Sequence, residues 1–492
     1  MKTSLLSTSL SLMLLSSTSL LANDLKSVLT HALENHPNVK ERLSNYEKTI
    51  YDLKISKSEY LPTLDYVGRF GYERTLNQVG LTLKEGRSTY ENSLILTQNI
   101  FDGLKTMHRV EYEEARAMAA AYNYVEQTND VAYNIVRNYI NLLKFTELYN
   151  LEKENVSLTR EIFDKTKELT DSGSETISNL KKVDSSLQLS EFNLITQQNN
   201  MNDAQYNLFR NTGIKLDYSK LIEPTFNYSL PKEQKDALAH AIEKNPSILV
   251  TNFNIETAKK QINQSRGEFS PTIDLELSYN FDKDTGGTAG HDRDYSAMFV
   301  VTHNFYNGNA DYNTVKKNKL NLMQEHELKR DIKRQITEGL QLSWSAYTNI
   351  NKQMLFLNSY LAASQETLDL FKIEFESGTR TLIDLLSAQD DYISARNKYI
   401  TAKYDLLLAK YRILDAMGEL VNTIYGEDAK ADYYKPLYAD YDNILESKMF
   451  DYSDIDEDKV LDNIDICDST VKNDLVNTDG CSQDNEILNK LR

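Results

Sequence analysis

The stretch FESGTRTLIDLL, Phe375–Leu386, breaks a long reach of helix-forming residues that contains no proline. Upstream, ELTDSGSETISNL (Glu168–Leu180) carries a second Ser-Gly in a like setting, and Gly173 and Gly378 stand 205 residues apart. Glycine between two helical segments permits the positive φ that a tight chain reversal needs. Other landmarks keep step. Gly103 and Gly308, and Gly213 and Gly418, are also 205 apart, while Pro37 and Pro246, and Pro62 and Pro271, are 209 apart. Rare residues held in register over nearly two hundred positions mark a duplicated unit.

Each unit has one plan: two short helical segments around the first proline, a pair of alternating segments after the second, then two very long helices joined at the Ser-Gly break. Leu104–Thr170 has neither Pro nor Gly, and as a helix it would run about 100 Å at 1.5 Å per residue. Its partner, Asp311–Ser377, has only Gly339. Such lengths call for coiled-coil packing. Leu382, Leu385, Leu386, Ile393, Ile400, Leu407 and Leu414 supply the packing seam of the last helix.

The clearest strand is TIDLELSYNFD. Ile273, Leu275, Leu277, Tyr279 and Phe281 alternate with Asp274, Glu276, Ser278, Asn280 and Asp282. TLDYVGRFGYE repeats the pattern with Leu64, Tyr66, Phe70 and Tyr72 against Asp65, Arg69 and Glu73. YENSLILTQNIF and DYSAMFVVTHNF return with weaker alternation. A soluble sheet with one wet face would give the same pattern. Strand length and the aromatics on the apolar face favour lipid contact. In lipid a sheet must close, and four strands fall short of the roughly eight that a barrel needs, so chains must pool them. Two chains give eight strands and three give twelve.

The first 22 residues read as a signal peptide: Lys2, an apolar run diluted with Ser and Thr, and Leu20 and Ala22 at the small-residue cleavage positions. No cysteine follows the run, so no lipid anchor is expected. The net charge of −18 sits largely at the far end, where 427–468 carries 14 acidic residues against four lysines. That balance argues against a nucleic-acid partner. The seven histidines are scattered, His31 and His36 are read as solvated, and no catalytic or phosphate-binding signature is present, so no enzyme activity is expected.

The doubled ENHPNV/EYLPTL and EKNPSI/EFSPTI openings, the FDG and YNG turns, and the run from Glu376 to Leu420 together resemble the TolC-like outer-membrane channel-tunnel family. The resemblance implies a mainly α protein with a transmembrane β part: a homotrimer with a 12-stranded β-barrel continued by a coiled-coil tunnel through the periplasm. It implies a first repeat over 23–222 (strands near 63–76 and 89–101, tip turn 171–176) and a second over 223–420 (strands near 272–283 and 293–305, tip turn 376–381). A C-terminal equatorial segment is expected over 421–450 and an acidic tail over 451–492. The implied role is a passive exit duct for an inner-membrane ABC or RND-type transporter and a periplasmic adaptor, in contact with outer-membrane lipid. Type I protein secretion is the favoured use and small-molecule efflux the alternative; a periplasmic coiled-coil or adhesin stalk is the rival of another class.

The family's gate places an arginine lock at Arg380, its aromatic partner at Phe375, its acidic partner at Asn179 with Ser178 before it, and an entrance carboxylate at Asp384. An ordinary surface pair between Arg380 and Asp384 is the competing reading. No cofactor is required. The tail resembles a thrombospondin type 3-like calcium repeat, with Asp454, Asp456, Asp458, Asp462 and Asp465 as Ca²⁺ candidates. Cys467 and Cys481, the only two cysteines, are expected to form a disulfide.

Overall fold

The structure, a computed structural model, describes residues 24–74, 86–286, 289–426, 429, 433 and 434. The expected signal segment, residues 75–85 and 287–288, and the acidic tail with its five candidate aspartates and two cysteines lie outside these residues. Among the described residues no helix is long and apolar enough to cross a membrane.

The chain forms α1 (Leu25–Asn35), α2 (Pro37–Ser58), β1 (Thr63–Glu73), β2 (Arg87–Phe101), α3 (Lys105–Asp171) and α4 (Ile177–Thr212). The second repeat follows with α5 (Gln234–Lys244), α6 (Pro246–Arg266), β3 (Thr272–Lys283), β4 (His291–Thr302), α7 (Ala310–Glu376), α8 (Leu382–Ala416) and the short α9 (Leu420–Tyr425). Strand β4 begins two residues before the expected 293–305 and ends three short of it, because His303–Phe305 leave the ladder. Strand β1 ends at Glu73, before the expected 76, and β2 begins at Arg87, two residues before the expected 89.

Two compact units result. One gathers the described residues of Pro37–Asp130, Leu230–Ser345 and Ile413–Arg492; the other gathers those of Met1–His36, Val131–Ser229 and Ala346–Arg412.

The first unit carries the sheet, an antiparallel meander in the order β1-β2-β3-β4. Register puts most of the large apolar residues on one face. Leu64 pairs with Leu96, Leu96 with Leu277, and Leu277 with Ala297. Tyr66, Leu94, Tyr279 and Tyr295 form the next row, with the rings of Tyr279 and Tyr295 stacked at 5.3 Å. The opposite face holds Asp65, Arg69, Glu91, Glu276, Asn280 and Asp294, with Asn280 donating to Asp294 at 2.9 Å. Apolar side chains on the sheet stay open: Phe70 is 79 % exposed and Tyr295 78 %. Among the described residues nothing pairs with the outer edges of β1 and β4. The ring of Tyr66 crosses over Gly68 so that its hydroxyl donates to Asn92 at 2.8 Å, and a Cβ on Gly68 would meet that hydroxyl at 2.9 Å.

The strand-to-helix turns show the duplication. Gly103 and Leu104 are left-handed (φ 73° and 65°), as are Gly308 and Asn309 (57° and 63°). Below the sheet, α2, α3 and α6 bury Tyr46, Ile50, Leu53, Met118, Ala121 and Ile255, and Tyr122 stacks on Phe253.

The second unit is helical. Helix α1 buries Val28, Leu29, Ala32 and Leu33. The connection between the repeats is fastened along its length. Gln205 donates to the Leu216 carbonyl at 3.2 Å, and the Tyr139 hydroxyl donates to the Ile222 carbonyl at 2.7 Å and accepts from its N–H at 3.1 Å. Lys403 reaches Glu223 at 2.7 Å, and Phe226 meets Tyr411 edge to face at 5.1 Å. Of the leucine stripe on α8, Leu382, Leu385, Leu386, Ile393 and Ile400 are buried within this unit.

Candidate functional site: the helical tip

Both helix pairs reverse by one device. Gly173 and Gly378 are left-handed, with φ of 76° and 75°. After Gly173, the N–H of Ser174 returns to the Leu169 carbonyl at 2.8 Å. After Gly378, the N–H of Thr379 returns to Glu374 at 2.9 Å. This six-to-one closure satisfies carbonyls that a helix end leaves open. Ser172 and Ser377 add a hydroxyl to the same carbonyls, each at 2.9 Å. The next helix then starts on a threonine cap. The Thr176 hydroxyl accepts from the Asn179 N–H and the Thr381 hydroxyl from the Asp384 N–H, both at 3.2 Å. Every one of these residues has its counterpart 205 positions on.

The side chains break that symmetry. Arg380 and Glu175 occupy equivalent positions, as do Asp384 and Asn179. Asn179 donates its side-chain N–H to Glu175 at 2.8 Å, and Asp384 accepts from the Thr381 hydroxyl at 2.7 Å. Within the chain, therefore, Arg380 pairs with neither Asn179 nor Asp384. The carboxylate of Asp384 is already placed at a helix N-terminus, where cap and dipole both hold it. Ser178 is exposed on the first turn of α4.

Arg380 turns back onto α7. Its Nε and one terminal nitrogen each lie 2.7 Å from a Glu374 oxygen, and its guanidinium carbon sits 4.0 Å from the centre of the Phe371 ring. Within the chain, the aromatic beside the arginine is Phe371. Phe375, with no hydroxyl to offer, packs instead on the buried cluster of Val183, Leu382 and Leu386, beside Ile162 and Phe163. Sequence reasoning missed Phe371 and Glu374. The available signal was that both lie within three turns of Arg380 on a helix that ends in a reversal.

Above the apolar cluster, polar contacts join α8 to α3. Gln389 donates to Asn155 at 2.9 Å and to Thr159 at 2.7 Å, and Asn155 donates to Glu152 at 3.3 Å. Burial lifts the Glu152 carboxyl above its ordinary pKa, and the Asn155 bond offsets part of that rise. Farther along, Arg396 reaches Glu154 at 2.6 Å, Lys403 reaches Glu147 at 3.3 Å, and Lys144 reaches Asp405 at 3.1 Å. On the other flank, Lys372 of α7 pairs with Glu161 of α3 at 3.1 Å. A groove of about 700 Å³ opens among α3, α7 and α8, walled by Leu158, Leu368, Phe375, Asp164, Asp369 and Gln389. Among the described residues no group of His, Cys, Asp and Glu is arranged to hold a metal.

The arrangement can hold helices together at a turn. The profile of the family described as outer membrane efflux protein matches residues 28–213 and 237–419, one block for each repeat. The chain is similar to outer membrane protein TolC of Escherichia coli (24% identical over 388 residues, 75% of this chain and 76% of that one). It is also similar to outer membrane efflux protein BepC of Brucella suis (22% over 372 residues, 75% and 80%). Among solved structures it matches the Campylobacter jejuni CmeC outer membrane channel, with a TM-score of 0.72, 17% identity, and coverage of 84% of this chain and 89% of that one. It matches the open state of the Neisseria gonorrhoeae MtrE channel with a TM-score of 0.69, 16% identity, and coverage of 80% and 88%. These structural likenesses establish the fold.

Proposed function

The chain belongs to the outer membrane efflux protein family, and from that premise we propose that three copies form a passive exit duct whose helical tip is the gate. The protein is an outer-membrane channel with its helical part in the periplasm. The observation that carries the trimer is the sheet: apolar on one face, richer in charged and polar residues on the other and, among the described residues, unpaired at both edges. Hydrocarbon does not tolerate open edges, and three copies of four strands close a barrel of twelve.

In this reading the duct completes a tripartite path with a periplasmic adaptor and an inner-membrane ABC or RND-type transporter. Gly173 and Gly378 mark the periplasmic tip. Arg380, held by Glu374 and Phe371, stiffens the second turn, and Asp384 adds one carboxylate per chain to a ring of three that favours cations. Asn179 and Ser178 face the same entrance from the first turn, and Phe375 belongs to the apolar latch behind it. Protein secretion of type I is the proposed use, supported by the acidic tail that extends the chain beyond the matched blocks. Small-molecule efflux is the second reading, favoured by the name of the Brucella relative. Ca²⁺ at Asp454, Asp456, Asp458, Asp462 and Asp465, and a Cys467–Cys481 disulfide, are proposed for the tail. Calorimetry of the whole protein against a chain ended at residue 450 tests the calcium proposal.

The duct itself is tested by fractionation and planar-bilayer recording. Outer-membrane trimers that dissociate only on heating, and that conduct ions, support it. A soluble monomer without conductance contradicts it. Deleting the gene and comparing secreted protein with drug susceptibility separates the two uses.

A further inference from the structure

The duplication breaks down at one level of the long helices. Helices α3 and α7 both start just after a strand-to-helix turn, and the nineteenth residue beyond each start is Tyr124 in α3 and Lys329 in α7. That level lies about 28 Å along each helix at 1.5 Å per residue. On α3 it holds the last described part of the chain. The Tyr124 hydroxyl donates to the Tyr433 carbonyl at 2.8 Å, and the Asn129 side-chain oxygen accepts from the Val421 N–H at 3.0 Å. The counterparts of Tyr124 and Asn129, 205 residues on, are Lys329 and Arg334. Where α3 reads YVEQTN, α7 reads KRDIKR.

This stretch of α7 is cationic in a chain whose net charge is −18. From Lys316 to Arg334 it carries seven lysines and arginines against three acidic residues. Lys317, Lys319 and Arg334 are exposed and make no ion pair among the described residues. Arg330 pairs with Glu327 at 3.1 Å, but both side chains are mostly exposed, so solvent screens the pair. Arg330, Lys333 and Arg334 line one recess of about 410 Å³. Leu320 and Met323 lie open between the two groups of cations, 65 % and 64 % exposed. A surface of cations interleaved with apolar side chains suits an acidic segment that carries apolar side chains of its own.

We propose that segment 440–452 of the same chain docks along this face of α7. It places Asp440, Asp442, Glu446 and Asp451 among Tyr441, Ile444, Leu445, Met449 and Phe450, with Lys448 as its one cation. The described chain delivers the segment to the right level, because Tyr433 is fastened to Tyr124. It is also within reach. Helix α6 meets α3 through the Tyr122–Phe253 stack and meets α7 through Gln261, whose carbonyl accepts from Asn318 at 3.5 Å. Two spacings between neighbouring helices amount to roughly 16–20 Å. A coil running from Tyr434 to points between Asp440 and Asp451 spans roughly 12–25 Å. Docking sets acidic tail against cationic helix and leaves the calcium candidates, which begin at Asp454, beyond the docked part. The claim concerns a single chain and stands or falls apart from the duct reading.

The test uses the full chain in mild detergent, at low and at high salt. A carbodiimide, which joins carboxylates to amines in contact, is expected to link Asp440, Asp442, Glu446 or Asp451 to Lys317, Lys319 or Lys333. Trypsin is expected to cut at Lys448 about fivefold more slowly in the wild type than in two variants at low salt, and equally fast in all three at high salt, since exposed ion pairs are weak and screened. One variant combines Arg330→Glu with Arg334→Glu. The other combines Asp440→Asn with Asp442→Asn and leaves every helix untouched, so its result does not depend on how α7 tolerates substitution. Equal cutting of the wild type and the tail variant at low salt would overturn the docking. So would carbodiimide links that join the tail only to residues outside α7.

Discussion

Arg380 folds back across its own turn to meet Glu374 at 2.7 Å, so the second tip reversal is clamped by a residue pair within one chain. Both side chains are more than a third exposed, which limits the ion pair to roughly 0–1 kcal/mol after screening. The Phe371 ring adds about 0.5–1 kcal/mol. Replacing Arg380 with Ser removes both and is expected to favour the open tip by about 1–2 kcal/mol, or roughly tenfold in population. Phe371→Leu should produce about half of that. Conductance unchanged in Arg380→Ser would count against any gating role for the clamp.

The reversals themselves depend on left-handed glycines. Nothing lies within 4 Å of a Cβ added at Gly173 or Gly378, so the cost of substitution is backbone strain alone. Gly378→Ala should lower stability by about 1–2 kcal/mol, and Gly378→Asn by less, because Asn tolerates the left-handed region. Denaturant midpoints of the two variants should fall in that order.

Neighbouring residues on β3 test which face meets lipid. Leu277 points with Leu96 and Ala297, Glu276 with Thr97 and Met298. An arginine on the lipid face costs about 2–4 kcal/mol near the bilayer centre. Leu277→Arg should therefore deplete outer-membrane trimers sharply, while Glu276→Arg should leave them near wild-type yield. Equal depletion by the two would place lipid on neither face.

Glu152 makes stability depend on pH in a predictable direction. Its folded pKa is raised, chiefly by burial, so the folded state resists ionising it. The stability tied to its neutral form is fully present below the unfolded pKa and is lost as pH rises through the folded one. Glu152→Gln should raise the unfolding temperature at pH 7 to 8. The gain should vanish in acid, below the ordinary carboxylate range. A gain that persists unchanged in acid would assign the effect to packing.

Most of the architecture was legible because rare residues carried it. The Pro and Gly spacings locate the reversals and the helix starts at Pro37 and Pro246, and period-two alternation places β1 and β3 within a few residues. Strand ends were less legible, since Phe305 keeps the two-residue step of Val301 but His303–Phe305 leave the ladder at the approach to Gly308. The site was legible in its backbone, whereas its side-chain contacts within the chain were not. Thr381 and Asp384 are fixed by local capping rules. The choice of Arg380 between Asp384, Asn179 and Glu374 is decided by how the turn folds the arginine over α7, and Phe375 goes to the apolar cluster because Leu382 and Leu386 stand opposite. No local pattern encodes Gln389 reaching Asn155 and Thr159, more than 225 residues away in the chain.

The central claim is that this amphipathic four-stranded sheet closes only by being shared. Light-scattering mass of the protein extracted from outer membranes in mild detergent tests it most directly. The account predicts a single species of three chains; a monomer of stable mass, soluble once the detergent is removed, would contradict it.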